Sequence, residues 1–151
     1  MIPLTFLEFF KGDYFDAGNE LYFLRDLDEQ ALYIGISTDS IWHRWFGSGN
    51  GHMIIDFDGE IHGASHIGHV IENNFPLSWE WNLDLLTEED CAKILAEESD
   101  DKDLTKLDIV FLEIEMINRF SPLYNVLHGG GYHEDPKASK KLDDDYKKIF
   151  G

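Results

Sequence analysis

ELYFLRDLDEQALYIGIS, residues 20–37, decides the fold. Residues 21–27 and 31–37 each alternate in the period of a strand, and the intervening DEQ, with Asp26 before it, suits a hairpin connection. On the second strand Leu32, Ile34 and Ile36 share one face and belong to a core. Ala31, Tyr33, Gly35 and Ser37 share the other. A glycine inside a strand marks the close approach of a ligand or another part of the chain. Tyr22, on the first strand, is expected beside Tyr33. A cross-strand aromatic pair that only steadies the sheet accounts for the two tyrosines taken alone.

Working outward, residues 1–16 are apolar and aromatic and read as a short docking helix. After Ser37, the residues TDS supply helix N-caps for IWHRWF, and GSGNG at 47–51 breaks that helix. A helix is predicted from about Ser65 to Asn74, and a third strand over 78–86. Thr87, with Asp90 three residues on, nearly forms a capping box for the next helix. Residues 104–120 form the longest apolar-rich helix, and Pro122 ends it. The expectation is one α/β (α+β) domain over 1–151, a small, mainly antiparallel three-stranded sheet flanked by helices. Its core covers about 20–46 and 78–126, a helical insertion about 47–77, and a charged tail 127–151.

Composition narrows the function. A hydrophobic fraction of 43% with 14% aromatics is that of a folded chain rather than a disordered one. No apolar run approaches the roughly 20 residues that span a bilayer. The N-terminal stretch lacks a basic start and carries Glu8 within its apolar run, so it does not read as a signal peptide. Cys91 is the single cysteine, which makes a reducing, cytoplasmic compartment the natural one. The formal net charge of −18, from 30 acids against 12 Lys and Arg, repels nucleic acid at long range. Lys11, Arg25 and Arg44 are the bases of residues 1–92, so any anion site must be local and assembled from few groups.

Arg44 follows the hairpin closely, and its planar fork suits bidentate contact with a phosphate. On the long helix, at about 100° per residue, Glu113 falls on the side of Ile109, Val110, Met116, Ile117 and Phe120. A carboxylate on an apolar face is costly unless it is paired or binds a metal. Glu113 is therefore the candidate ligand for Mg²⁺ or Mn²⁺, hard cations that take one or two carboxylates and keep their waters. Glu115 points nearly opposite and can pair with Arg119.

These residues resemble a known family. ELY at 20–22, ten residues, then YIG at 33–35 is similar to the two-part signature of the GIY-YIG nucleases. Ser37 and Arg44 stand where that family carries a small hydroxyl residue and an Arg on its first helix. EIEMINRFSPLYN, with Glu113, Ile117, Pro122 and Asn125, resembles its closing motif. The resemblance implies a divalent-metal-dependent endonuclease hydrolysing nucleic-acid phosphodiesters, DNA in preference to RNA. Tyr22 and Tyr33 would line the site, with one of them positioning or deprotonating the attacking water. Arg44 would neutralise charge on the phosphate, Glu113 would hold the cation, and Asn125 would support the site by hydrogen bonding. Ser37 and His43 are secondary candidates. The chain departs from the pattern in Glu20, in an extra residue between Tyr33 and Arg44, in the 47–77 insertion and in its acidity. That acidity motivates the alternative, a catalytically inactive interaction protein or DNA mimic on the same fold. It also motivates a nuclease whose partner protein supplies the basic surface.

Other signals weigh less. Among His52, His62, His66 and His69, the i,i+4 spacing of His62 and His66 and the i,i+3 spacing of His66 and His69 would let one helix face them together and hold zinc. No cysteine or H-E-x-x-H accompanies them, and a polar face of the insertion, near substrate, is the better expectation. HGGGY at 128–132 reads as a linker, and the Lys-rich tail as a solvated or docking segment. Trp42, Trp45, Trp79 and Trp81 read as core.

Overall fold

The structure, a computed structural model, describes residues 1–12, 20–37, 40–47, 51–97 and 108–125. Four strands form an antiparallel sheet in the order β1-β6-β2-β3, with β1 Ile2–Thr5, β2 Leu21–Arg25, β3 Ala31–Ile36 and β6 Asn82–Leu86. The fold is mixed α+β. The hairpin forms, but β2 stops at Arg25 and the register shifts between Leu24 and Arg25, so the expected alternation of 31–37 breaks at its start. Leu32 packs in the same cluster as Tyr33, and Ala31 packs against the cluster of Ile34. Asp26 Oδ1 then accepts the N–H groups of Asp28 and Gln30, each at 2.9 Å, and closes the turn.

One further strand corrects the expected sheet of three. Residues 2–5, read as helical, pair with β6 at the sheet edge, where Pro3 lacks no ladder partner that an edge strand needs. The helix begins only at Phe6: α1, Phe6–Lys11, is closed by a capping box between Thr5 and Glu8. The strand expected over 78–86 starts at Asn82, because residues 77–80 turn in a 3-10 helix after Pro76. Thr87 and Asp90 do complete a capping box for α4, Glu88–Ala96.

The two sheet faces bury different sets. Leu21, Phe23, Ile34 and Leu86 meet Cys91 and Leu95 of α4 and Leu112, Met116 and Ile117 of α5, Ile109–Phe120. On the other side Tyr22, Leu24 and Tyr33 meet Phe6 and Phe9 of α1, Ile41, Trp45 and Phe46 of α2, Ile41–Phe46, and Ile67, Val70 and Ile71 of α3, His66–Asn73. Trp45 and Trp81 are buried and Trp42 and Trp79 packed against them, as core residues should be. α5 opens on Asp108, whose side chain accepts from Phe111 N, and ends at Ser121 in the left-handed region (φ 45°) just before Pro122. Residues 104–107 of its expected span lie outside the described residues, as do the linker at 128–132 and the Lys-rich tail.

The 47–77 insertion is not simply helical. It is a β-hairpin, β4 Met53–Ile55 and β5 Ile61–Gly63, leading into α3. Gly63 and Gly68 let it fold tightly: a Cβ on Gly63 would strike the α3 backbone, and one on Gly68 the His52 carbonyl. That carbonyl accepts Ala64 N at 2.8 Å. The insertion is thus drawn against α2 and the sheet, with His52 at the junction. No described helix is long and apolar enough to cross a membrane.

Candidate active site

Gly35 sits directly opposite Tyr22 in the ladder, and a Cβ there would run into the Tyr22 phenol. The glycine exists so that the ring can lie across the strand, stacked on Tyr33 with centroids 6.1 Å apart and planes 19° from parallel. The close approach foreseen at Gly35 is therefore a side chain of the protein itself.

A pocket of about 210 Å³ opens beside Tyr33, lined also by Arg44, His52, Ser65, His66, Ile67 and Tyr124. Of the two candidate tyrosines, Tyr33, 7% exposed, lines the pocket, and Tyr22, 1% exposed, does not. Burial pushes the Tyr33 phenol up to about 12, with Arg44 opposing the rise and Glu113 adding to it. Burial pushes Tyr22 well above the ordinary phenol value as well. Tyr33 adds to that rise, a hydrogen bond and the charge of Arg44 oppose it, and Glu113 adds to it. Both phenols therefore feel the same guanidinium and the same carboxylate. β2, β3, α2 and α5 bring four of the sequence candidates within electrostatic reach of one another. Arg25 plays no part here, since it is tied to Asp84 of β6 at 2.6 Å.

Glu113 is buried with Leu112, Met116 and Ile117 on the packed side of α5. Val110, expected on the same side, is instead exposed, because the face narrows toward Leu112 and Met116. Asn125 is fully buried and does not line the pocket. Its side chain clamps the peptide of Ile34, accepting from the N–H at 2.9 Å and donating to the C=O at 2.7 Å. Leu123 N and Tyr124 N bond the carbonyls of Ala31 and Leu32. Residues 123–125 thereby cover the open edge of β3, the strand that carries Tyr33. Ser37 and His43 do not line the pocket. The Ser37 hydroxyl donates to Ser40 O at 3.1 Å, steadying the approach to α2, and His43 lies exposed on α2 against Trp42.

His52 is the residue that sequence patterns placed only loosely, as one of four histidines near substrate. It is 2% exposed, its Nε2 lies 3.0 Å from the Tyr22 hydroxyl, and its Nδ1 lies 2.7 Å from Ser65 Oγ. The Tyr33 and Trp45 rings pack on it at 5.5 and 4.6 Å. The four histidines do not share a helix face. His66 lines the pocket, whereas His62 lies on β5, ahead of α3, and bonds Glu72 at 3.0 Å and Asp56 at 3.1 Å. Ligand atoms of Asp56, Glu60 and His62 fall within 4.8 Å of one another. With both ring nitrogens engaged by carboxylates, His62 serves as a clamp between the hairpin and α3.

No protein-family model matches this chain, and neither a curated protein nor a solved structure does.

Proposed function

We propose that this chain is a divalent-metal-dependent endonuclease that hydrolyses nucleic-acid phosphodiesters, DNA in preference to RNA, in the manner of the GIY-YIG nucleases. One observation carries the reading: Tyr33 and Arg44 line one pocket, with Tyr22 bonded behind it and the buried Glu113 acting on both phenols. Arg44 would take the phosphate by its planar fork and offset charge that grows in the transition state. Tyr33, a neutral phenol at pH 7, would hold the attacking water by its oxygen. Its proton would leave only with help from neighbouring positive charge.

Glu113 does not line the pocket, but it is a buried carboxylate whose charge reaches both phenols, the kind of donor that suits a hard cation such as Mg²⁺ or Mn²⁺. Such a cation, when bound, polarises a phosphoryl oxygen and stabilises the leaving oxygen. Glu113 would hold it, and Asn125, bonded to the Ile34 peptide, braces the strand that carries Tyr33.

Plasmid nicking at low salt with Mg²⁺ or Mn²⁺ tests this. Wild type should cut, and Arg44→Ala and Glu113→Gln should each lose about a hundredfold or more while remaining folded. No cutting across metals and salts, or undiminished cutting by both variants, rejects the proposal. The net charge of −18 supports one alternative, an acidic interaction protein or DNA mimic. Binding to basic proteins without affinity for metal or DNA would decide for it. Cutting that needs an added basic partner would assign the phosphate-facing surface to that partner.

A further inference from the structure

A guanidinium only donates, so the Tyr22 oxygen accepts from Arg44. The phenolic hydrogen is then left for the other partner, His52 Nε2, 3.0 Å away. A ring nitrogen that accepts carries no hydrogen, so the neutral imidazole holds its proton on Nδ1. That N–H donates to Ser65 Oγ at 2.7 Å. The same oxygen accepts Gly68 N–H at 3.2 Å as the N-cap of α3. Both lone pairs of Ser65 Oγ are now occupied, and its own hydrogen must point elsewhere. Tyr22 and His52 are closed to solvent, whereas Ser65 is half-buried and lines the pocket beside Arg44 and Tyr33.

We infer that Ser65 binds substrate: its hydroxyl is turned into the pocket as a donor to a non-bridging oxygen of the phosphodiester. The chain Arg44 to Tyr22 to His52 to Ser65 fixes that direction. This rests on the phosphodiester reading above and adds a residue to it. N-capping alone explains the bond to Gly68 but not the one to His52, which a capping serine does not need. Tyr22 and His52 are positioning residues here. They transmit the donor direction from a guanidinium that touches the phosphate to a hydroxyl that touches the same phosphate. The pocket then offers its anion donors from two sides, α2 and the start of α3.

Two measurements test it. Long-range proton–nitrogen correlation on the ¹⁵N-labelled full chain at neutral pH reads the His52 tautomer, with His52→Gln assigning the signal. Hydrogen on Nδ1 and a bare Nε2 are expected. Hydrogen on Nε2 would mean that Ser65 donates to the ring, and would overturn the inference. The second measurement is binding of a fluorescein-labelled DNA duplex in Ca²⁺, with KM and kcat in Mg²⁺. Ser65→Thr keeps both cap and hydroxyl and should stay near wild type. Ser65→Asp keeps the cap, loses the donor and adds repulsion, and should weaken binding and raise KM about ten- to a hundredfold with a smaller change in kcat. Wild-type affinity in a folded Ser65→Asp chain overturns the inference. Absence of duplex binding by wild type overturns it together with the nuclease proposal. A folded wild type that cuts while Ser65→Asp binds normally rejects the Ser65 role alone.

Discussion

Asn125→Ala should cost stability before it costs chemistry. Asn125 is fully buried, and its amide holds both polar groups of the Ile34 peptide, at 2.9 and 2.7 Å. Truncation leaves a buried N–H and a buried C=O without partners at an uncovered strand edge. At about 1–3 kcal/mol for each orphaned group, the loss is about 2–6 kcal/mol, against a typical domain stability of about 5–15 kcal/mol. Asn125→Asp is no remedy: it still accepts from the N–H, but it sets a carboxylate oxygen against the carbonyl that had received a donor. Urea unfolding followed by circular dichroism and tryptophan fluorescence measures the cost, with the slope unchanged if only the native state is affected. Activity should fall only as the folded fraction falls. An Asn125→Ala chain within about 0.5 kcal/mol of wild type would refute the clamp, and so would one that is fully folded yet inactive.

Other perturbations follow from the same contacts. Gly35→Ala drives a methyl into the Tyr22 phenol and should destabilise by about 1–3 kcal/mol in thermal melts. Tyr22→Phe removes the buried partner of His52 Nε2 and should cost about 1–3 kcal/mol, with the His52 imidazole signals shifting. Ser121→Gly relieves a non-glycine residue in the left-handed region and should raise stability by a few tenths to about 1 kcal/mol. Hydrogen bonds to Glu72 and then Asp56 raise the His62 imidazole above 6.5. Its contribution is therefore fully present below about 6.5 and fades as pH climbs through the raised folded value. An NMR titration should find His62 titrating above the ordinary histidine value, and His62→Gln should remove that part of the pH dependence.

Local patterns carried much of this fold, and long-range contacts carried the rest. The two strands of 20–37 and the capping pair Thr87 and Asp90 act over a few residues and appear as expected. The register shift beside Arg25 and the N-cap at Asp108, inside the helix expected from 104, did not show in the pattern. β1 was hidden because four residues ahead of a helix hold no periodicity; only β6, some eighty positions on, makes them a strand. Glu113 was legible as a carboxylate among apolar neighbours. Asn125 was legible as a polar residue near the site, but its grip on the Ile34 peptide lies 91 positions away and has no local signature. His52 was hardest. Its partners Tyr22 and Ser65 lie 30 and 13 positions off, and the glycines that seat it speak only once the hairpin is folded. GHM before a short strand offers no periodic cue, although a histidine flanked by glycine between two elements is a pattern worth weighing.

Crystals soaked in Mn²⁺ test the central claim most directly, because anomalous scattering locates the cation without assuming a mechanism. A peak at the Glu113 carboxylate, facing Tyr33 and Arg44 and lost in Glu113→Gln, is the predicted result. Manganese held instead by Asp56, Glu60 and His62, with Glu113 bare, would contradict it.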